Sequence, residues 1–208
     1  MSDVKKPSTE HKFRGVVLPK ASHKVIRKVK RDGHEPTIHG TKLWRSSLLL
    51  IDYLGKNAPE KTDRVLDAGC VWGITGIWCA KKFGSDVVSM DADPAVFPYL
   101  NAVAELNGVS TTPLVTRFEK LTKKQLSQFD VLVAADVCFW DSLVKSVGKM
   151  IDRAIDAGVG QIIIADPERP TFHEMAEKAT RKHGGEILYR SVSKPVRATG
   201  ALLVINNQ

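Results

Sequence analysis

Two aspartates at the ends of short apolar segments are the residues whose spacing suggests chemistry. Asp67 lies in the segment 64–68, and Asp91 ends the segment 86–91, about 20 residues further along the chain. Both segments have the length and composition of buried parallel strands. A carboxylate at the end of such a strand can accept hydrogen bonds from ribose hydroxyls. The pattern therefore predicts a site for a nucleotide-type cofactor.

A glycine-rich turn connects the first strand to the following helix. Gly69 and Gly73 lack a Cβ, so the backbone can adopt unusual dihedral angles and approach a ligand closely. A dinucleotide-binding turn has the pattern G-x-G-x-x-G, whereas Gly69, Gly73 and Gly76 form G-x-x-x-G-x-x-G. Asp67 would repel a pyrophosphate and attract an ammonium or sulfonium. The turn therefore favours a positively charged cofactor.

The same turn resembles motif I of the seven-strand S-adenosylmethionine-dependent methyltransferases. The matching residues are Asp67-Ala-Gly-Cys-Val-Trp-Gly73, followed by Ile-Thr-Gly-Ile77. Residues 89–94 (SMDADP) are similar to the ribose-binding strand end of that superfamily, and residues 129–139 (FDVLVAADVCF) to its fourth strand and acceptor-side motif. The resemblance covers about residues 40–204 and implies S-adenosyl-L-methionine as the cofactor.

Within the superfamily, the chain is most similar to the branch rich in protein-lysine methyltransferases. The segment 40–46 (GTKLWRS), the tetrapeptide Asp136-Val-Cys-Phe139 and the loop 166–170 (DPERP) carry this resemblance. The tetrapeptide usually ends in tyrosine, where this chain has Phe139, and motif I usually has a glycine at the position of Val71. The resemblance implies a protein substrate whose acceptor is a lysine.

The cofactor-binding residues follow from the motifs and the strand ends. We expect Asp91 to accept hydrogen bonds from the ribose, because Asp93, immediately before Pro94, is the better helix cap. Asp67 is expected to hold the methionine amine, directly or through water, unless it only bonds the amides of its own turn. The complete predicted set is Trp44, Asp67, Gly69, Trp72, Gly73, Asp91, Phe118, Glu119 and Ala135.

Asp136 and Phe139 are the predicted catalytic residues. Asp136 follows the fourth strand, where donor and acceptor are expected to meet, and it is placed to orient an amine or relay its proton. Phe139 and Trp140 are expected to line the acceptor channel, where aromatic faces tolerate a methylated ammonium. In the competing interpretation, Asp136 caps a turn and the aromatic rings belong to the core. We predict no metal site, because neither cysteines nor histidines have ligand spacing.

The alternation of apolar strands with amphipathic helices predicts an α/β fold with a doubly wound, mostly parallel sheet and helices on both faces. Seven strands are expected, and the resemblance implies that the last two form a reversed C-terminal hairpin. Expected helices span 43–54, 74–83, 94–107, 141–157 and 171–183, and expected strands span 64–68, 86–91, 113–116, 130–135, 160–165, 186–191 and 200–206.

The excess positive charge lies at the amino terminus. Residues 1–31 contain ten Lys or Arg and two acidic residues, which gives the whole net charge of +8. We expect residues 1–38 to form a basic leader, disordered up to about Lys12 and with a basic arm, edge strand or docking surface at 24–31, and residues 39–208 to form the methyltransferase domain. A solvated basic edge is the competing interpretation.

Composition and motifs leave other classes open. An acidic partner or a nucleic acid could bind the leader, but the Asn/Asp-Pro-Pro-Tyr signature of base methyltransferases is absent after the fourth strand. A dehydrogenase would need a better glycine pattern and a Tyr-x-x-x-Lys pair. A small-molecule methyltransferase and a non-catalytic cofactor-binding scaffold remain. With no signal-peptide core or membrane-spanning run, we expect a cytoplasmic protein without membrane contact.

Overall fold

A computed structural model describes residues 8–37 and 42–207. The strands are β1 Glu10–Phe13, β2 Val16–Pro19, β3 Arg64–Ala68, β4 Asp86–Asp91, β5 Thr112–Val115, β6 Val131–Ala135, β7 Gln161–Asp166, β8 Glu186–Val192 and β9 Ala198–Asn206. The α-helices are α1 Lys24–Arg31, α2 Ser46–Leu54, α3 Ile74–Phe83, α4 Phe97–Leu106, α5 Lys123–Leu126, α6 Asp141–Asp156 and α7 Pro170–His183. Short 3₁₀ helices span Pro94–Val96 and Phe118–Lys120.

Seven strands form one sheet in the order β5-β4-β3-β6-β7-β9-β8. The pairs from β5 to β7 are parallel, and β9 runs antiparallel to both of its neighbours. The predicted mostly parallel sheet with a reversed C-terminal hairpin is therefore confirmed. From β3 the chain runs outward through β4 to β5 and then returns to form β6 on the other side of β3. The strand order therefore reverses between β3 and β6, and open α/β sheets bind ligands at such a reversal.

The register of the parallel strands places their carboxyl ends along one edge. Asp67 of β3 pairs with Ser89 of β4 and with Val133 of β6. Ala135 of β6 pairs with Ala165 of β7. The residues that follow these strands consequently lie side by side, and their side chains can form one site.

Helices cover both faces of the sheet and enclose two hydrophobic cores. The core under α2, α3 and α4 contains Val133 and the fully buried Trp78, whereas the core under α6 and α7 contains Leu132 and Phe172. Neighbouring strand residues thus point into opposite cores, as expected for a sheet buried on both faces. Both faces must be covered because β6, β7 and β9 are apolar runs without alternation.

The described part of the basic leader folds against the first core. Strands β1 and β2 form an antiparallel hairpin, and Val16 and Leu18 of β2 are buried. Helix α1 buries Ile26 and Val29, which are three residues apart and therefore lie on one helical face. The basic side chains of Lys24–Arg31 are exposed.

The prediction of an edge strand at residues 24–31 is wrong, because the apolar spacing there has the helical period rather than the period of two. Disorder up to Lys12 is also contradicted at residues 10–13, which form β1. Residues 1–7 and the predicted domain boundary at 38 lie outside the described residues.

Gly73 is the glycine on which the turn before α3 depends most. Its φ is +68°, and an added Cβ would lie 1.9 Å from Cδ1 of the buried Leu100. Gly148 lies inside α6, and a Cβ there would find its nearest neighbour, Met175 Cγ, at an ordinary 3.9 Å. The two glycines therefore have opposite tolerance for a methyl group.

We predict that Gly73→Ala destabilises the fold by about 2–4 kcal/mol, from overpacking and left-handed strain. Gly148→Ala is the matched control and should stabilise it by up to about 1 kcal/mol, because alanine has the higher helix propensity. Urea unfolding followed by circular dichroism measures both changes. Equal stability of the two variants would contradict the role of Gly73.

Candidate active site

A cavity of about 410 Å³ lies at the carboxyl edge of the sheet. Its lining comes from the segments that follow β3, β4, β5 and β6 and from the start of α6. The lining residues are Trp44, Gly69, Val71, Met90, Asp91, Ala92, Arg117, Phe118, Glu119, Ala135, Asp136, Val137, Phe139, Trp140, Ser142, Leu143 and Ser146. A second, narrow cavity of about 10 Å³ shares Trp44, Gly69, Val71 and Ala135 with the first and contains Asp67 and Trp72 in its wall.

The turn after β3 contains a residue with an unusual backbone conformation. Val71 has φ +49°, which is rare for a β-branched residue and costs about 1–2 kcal/mol. Its amide donates a 3.1 Å hydrogen bond to Oδ2 of Asp91. This bond holds the strained turn against the neighbouring strand end. The turn therefore presents the Val71 side chain to the cavity, where a glycine would leave space.

Asp91 lies in the wall of the main cavity. Its Oδ1 accepts a 3.0 Å hydrogen bond from the amide of Asp93, while Asp93 itself caps the 3₁₀ helix by accepting from the amide of Ala95. The prediction that Asp93 rather than Asp91 caps this helix is therefore confirmed. Burial raises the pKa of Asp91, and its amide hydrogen bonds oppose that rise.

Asp67 is 4% exposed and lies beneath the turn. Its Oδ2 accepts a 3.1 Å hydrogen bond from the amide of Gly76 in α3, so it does bond an amide of the segment that follows its strand. Burial, together with the nearby charge of Asp91, raises the pKa of Asp67 to about 7 despite this bond. Within residues 8–37 and 42–207, neither aspartate forms an ion pair with a lysine or arginine. This part of the site thus contains two carboxylates without an ion-pair partner among the described residues, although Arg117 borders the main cavity and Lys42 the narrow one.

The remaining predicted cofactor residues divide into two groups. Trp44, Gly69 and Ala135 border both cavities, and Phe118 and Glu119 border the main one. An added Cβ on Gly69, whose φ is +76°, would meet Val137 Cγ1 at 2.8 Å, so only glycine fits there.

Trp72 and Gly73 lie further from the main cavity. Trp72 is 2% exposed, borders the narrow cavity and stacks on Tyr99 with ring centroids 5.8 Å apart. Gly73 borders neither cavity and begins α3 in the left-handed conformation. Its contribution is to the backbone of the turn, and the geometry gives no support for the contact with a cofactor that the sequence predicted.

Asp136 lies on the other side of the cavity and is bound by two partners. Its Oδ1 is 3.2 Å from Nη2 of Arg169, and its Oδ2 accepts a 3.2 Å hydrogen bond from the amide of Ser46, the first residue of α2. Asp136 is 5% exposed and has φ +57°, a conformation that aspartate tolerates better than most residues. It therefore caps α2 and borders the cavity at the same time.

Arg169 also binds Asp166, the last residue of β7. Its Nη1 is 2.5 Å from Oδ2 of Asp166, and its backbone amide donates a 2.8 Å hydrogen bond to Oδ1. Burial raises the pKa of the fully buried Asp166, and Arg169 opposes that rise. One guanidinium thus joins carboxylates from two neighbouring strand ends. The sequence marks the loop 166–170 by its resemblance to the family but does not reveal the role of Arg169, because only the fold brings this residue to Asp136.

Aromatic rings line the cavity beside Asp136. The rings of Phe139 and Trp44 pack edge-on, with their centroids 5.2 Å apart. The rings of Phe139 and Trp140 are tilted against each other, with their centroids 5.6 Å apart. Cations lie over two of these rings: Arg169 over Phe139 at 4.0 Å and Lys42 Nζ over Trp44 at 4.2 Å. Trp140 is 50% exposed. The aromatic wall is therefore open to solvent at Trp140 and adjacent to the carboxylate at its inner end.

Two general features of the described residues bear on the class of site. In this part of the chain, no group of three or more His, Cys, Asp or Glu side chains is arranged to hold a metal ion. None of the helices within residues 8–37 and 42–207 has the length and apolar character needed to cross a bilayer. All three cysteines are free and buried, as predicted.

Comparison with known proteins gives the family. Residues 23–179 match a family model described as lysine methyltransferase. The electron transfer flavoprotein beta subunit lysine methyltransferases of Rattus norvegicus and Mus musculus are each 27% identical to the chain over 130 residues, which cover 62% of this chain and 50% of the relative. The chain thus spans about half the length of the curated relatives it matches.

Solved structures show the same fold. A ribosomal protein L11 methylase from Lactobacillus delbrueckii subsp. bulgaricus has a TM-score of 0.55 and 21% identity, covering 78% of this chain and 76% of that chain. A human methyltransferase 10 domain containing protein has a TM-score of 0.55 and 13% identity, covering 84% and 85%. At these identities the likeness concerns the fold alone.

The lysine methyltransferase family model matches more than half of this chain. The resemblance predicted from the motifs is therefore confirmed, and the chain belongs to the lysine methyltransferase family.

Proposed function

We propose that the protein transfers a methyl group from S-adenosyl-L-methionine to the side-chain amine of a lysine in a protein substrate. One observation carries the proposal. The cavity has a negative side, where the carboxylates of Asp67 and Asp91 form no ion pair with a described lysine or arginine, next to an aromatic side that ends at Asp136. A cationic donor and an amine acceptor are suited to these two sides.

The residues present fit the cofactor. A volume of about 410 Å³ lies within the usual range of small-molecule sites. Burial raises the pKa values of Asp67 and Asp91, and neither carboxylate forms an ion pair within the described residues. A ligand that carries an ammonium and a sulfonium supplies positive charge to them. The charge of the cofactor therefore suits these two carboxylates.

Each side chain of the negative side has a proposed role. Asp91 accepts hydrogen bonds from the ribose hydroxyls, and Asp67 holds the methionine amine. Phe118 packs against the adenine, and Glu119 borders the same end of the cavity. Trp44 and Ala135 lie between the part of the site that contains Asp67 and the main cavity, because both residues border both cavities.

When bound, the cofactor supplies an electrophilic methyl group on a sulfonium. The chain has to align a neutral amine with that group and exclude water. Phe139 and Trp140 form an aromatic wall for the lysine side chain, and Asp136 orients the amine at the inner end of the wall. A lysine amine is mostly protonated at neutral pH, with a usual pKa near 10.4, and burial beside a positive charge favours its neutral form.

The family description and the curated relatives support a protein lysine as the acceptor. The aromatic wall supports the same choice, since it is open at Trp140 and can receive a side chain from a larger partner. The exposed basic residues of α1 are the observation that favours the second candidate, a nucleic-acid substrate. The experiment below separates the two, and it also detects a small-molecule acceptor.

Transfer from tritium-labelled S-adenosylmethionine into a cell extract tests the acceptor class. We expect the label in protein and, after acid hydrolysis, in methylated lysine. Asp136→Asn should then reduce labelling by about tenfold to a hundredfold while the affinity for S-adenosylhomocysteine is kept, because only the orientation of the amine is lost. Asparagine tolerates the left-handed backbone of this position and can still accept the Ser46 amide.

Asp156→Asn, exposed at the end of α6, is the control for Asp136→Asn and should label like the wild type. Label in nucleic acid or small molecules would overturn the lysine proposal. Full activity of Asp136→Asn would overturn the role of Asp136.

Asp91→Ala should weaken the binding of S-adenosylmethionine by at least about tenfold, since hydrogen bonds to a charged acceptor contribute about 1.5–3 kcal/mol. Asp86→Ala is the matched control: Asp86 is an exposed aspartate at the opposite end of the same strand and pairs with Arg64. Calorimetry measures the affinities, and circular dichroism checks that both variants fold. An unchanged affinity of Asp91→Ala would rule out the ribose assignment.

Binding of the cofactor should release a proton near pH 6.5. Asp67 has a pKa of about 7 in the free protein, and a bound ammonium would lower it, so ligand and proton compete. Affinity should therefore rise between pH 5.5 and pH 7.5, a window in which the ligand's α-amine is still largely protonated, with its usual pKa of about 7.7–8.0.

The stability of the free protein should depend on pH in the opposite direction to the affinity for the cofactor. Raising the folded pKa of a carboxyl contributes stability at low pH, which is lost as pH rises through about 7. Asp67→Asn should abolish both the proton release, measured by calorimetry in buffers of different ionisation enthalpy, and this pH dependence. Proton release that persists in Asp67→Asn would assign the titration to another group.

A further inference from the structure

Arg169 lies at the junction of three structural segments. Its backbone begins α7, where its carbonyl accepts hydrogen bonds from the amides of Phe172 and His173 at 3.0 and 3.2 Å. Its side chain reaches Asp166 at the end of β7 and Asp136 after β6. The Arg169 side chain is 22% exposed. Its position is therefore fixed at both ends, by its backbone and by two carboxylates.

The two carboxylates would repel each other without this arginine. Asp136 is 5% exposed and Asp166 is fully buried, so neither charge is well solvated. The charge of Asp136 contributes to the raised pKa of Asp166, and Arg169 opposes that rise. A single guanidinium bound to both carboxylates offsets their repulsion, and its planar fork suits two carboxylates better than an ammonium does.

The same guanidinium lies over the ring of Phe139 at 4.0 Å. A hydrogen bond of 2.7 Å from the Thr171 hydroxyl to the Cys138 carbonyl ties the first turn of α7 to the same segment. Arg169 thus contacts both predicted catalytic residues, Asp136 and Phe139. Glu168, the residue immediately before Arg169, adopts the left-handed conformation with φ +70°, and the chain turns there toward Asp136.

We propose that Arg169 is a positioning residue of the acceptor side, which fixes Asp136 and Phe139 and neutralises the Asp136 carboxylate so that the acceptor ammonium can release its proton to solvent and attack as the neutral amine. The inference rests on the proposed function. An unpaired carboxylate at Asp136 would stabilise the ammonium form of an approaching lysine, which is not a nucleophile. A carboxylate already paired with Arg169 can orient the amine without that effect.

The charged groups around the guanidinium are few. Asp136, Asp166 and the buried Cys138 thiol interact with it, and burial raises the pKa of that thiol well above its usual value. Lys42 lies over the ring of Trp44, which in turn packs against Phe139. In the described part of the chain, Arg169 is therefore the cation bound to Asp136, and its removal changes the charge at that carboxylate directly.

The test compares Arg169→Gln and Arg169→Lys with Arg181→Gln, an exposed control on α7 whose side chain pairs with Glu177. Label transfer from tritiated S-adenosylmethionine into extract protein is measured from pH 6 to pH 9, and S-adenosylhomocysteine affinity by calorimetry. We expect Arg169→Gln to keep the affinity, to lose about tenfold in rate at pH 7 and to shift the acidic limb of the pH–rate profile up by about one unit.

Arg169→Lys should restore the position of the acidic limb but not the full rate, because it keeps the charge and loses the fork and the stacking. Arg181→Gln should match the wild type. An equal loss of rate by Arg169→Gln at every pH, an unshifted limb or an unchanged rate would overturn the inference.

Thermal unfolding provides a readout that needs no acceptor. In Arg169→Gln the two buried carboxylates lack their cation, so the folded pKa of one rises and the variant loses stability as pH increases. The difference in Tm from the wild type should widen by a few degrees between pH 5 and pH 8. A constant difference would overturn the neutralising role. If the wild type labels no protein, the proposed function fails, and this measurement still decides whether Arg169 neutralises the pair.

Discussion

Four aspartates along one edge of the sheet, three of them buried and Asp91 partly buried, impose the constraint on which the site depends. Burial disfavours the charged form of each, and the fold compensates them in two different ways. Asp67 and Asp91 accept backbone amide hydrogen bonds and form no ion pair with a lysine or arginine in the described part of the chain, whereas Asp136 and Asp166 share Arg169. One side of the cavity therefore keeps two carboxylates that a cationic ligand can pair with, whereas the carboxylates of the other side already share a guanidinium.

The backbone is strained where these carboxylates are held. Three of the non-glycine residues with positive φ follow three strands of the site: Val71 after β3, Asp136 after β6 and Glu168 after β7. A left-handed conformation at such a residue costs about 1–3 kcal/mol, and it persists only where surrounding interactions fix the backbone. Val71 donates its amide to Asp91, and Glu168 directs the chain so that Arg169 meets Asp166. The strain is thus located at the groups that set the charge of the site.

The sequence predicted the parallel sheet well, because buried strands such as 64–68 and 86–91 are apolar runs bounded by glycine or charged residues. It placed Asp91 and Asp136 at strand ends correctly, since position in a parallel sheet follows from chain order. It did not predict α1, whose eight residues carry five basic side chains that obscure the spacing of Ile26 and Val29. Arg169 was missed as a partner of Asp136 because 33 residues separate them and only the β6–β7 pairing brings them together.

The difference between the two sides agrees with what methyl transfer to an amine requires. A sulfonium is held best by uncompensated carboxylates, while the attacking lysine must be neutral and is trapped as an ammonium by such a field. Phe139 has no hydroxyl, so its ring can pack but cannot accept a proton. Arg169 also covers one face of this ring, as Lys42 covers one face of Trp44. In the proposed mechanism, orientation of the amine therefore falls to the paired carboxylate of Asp136 rather than to a phenol.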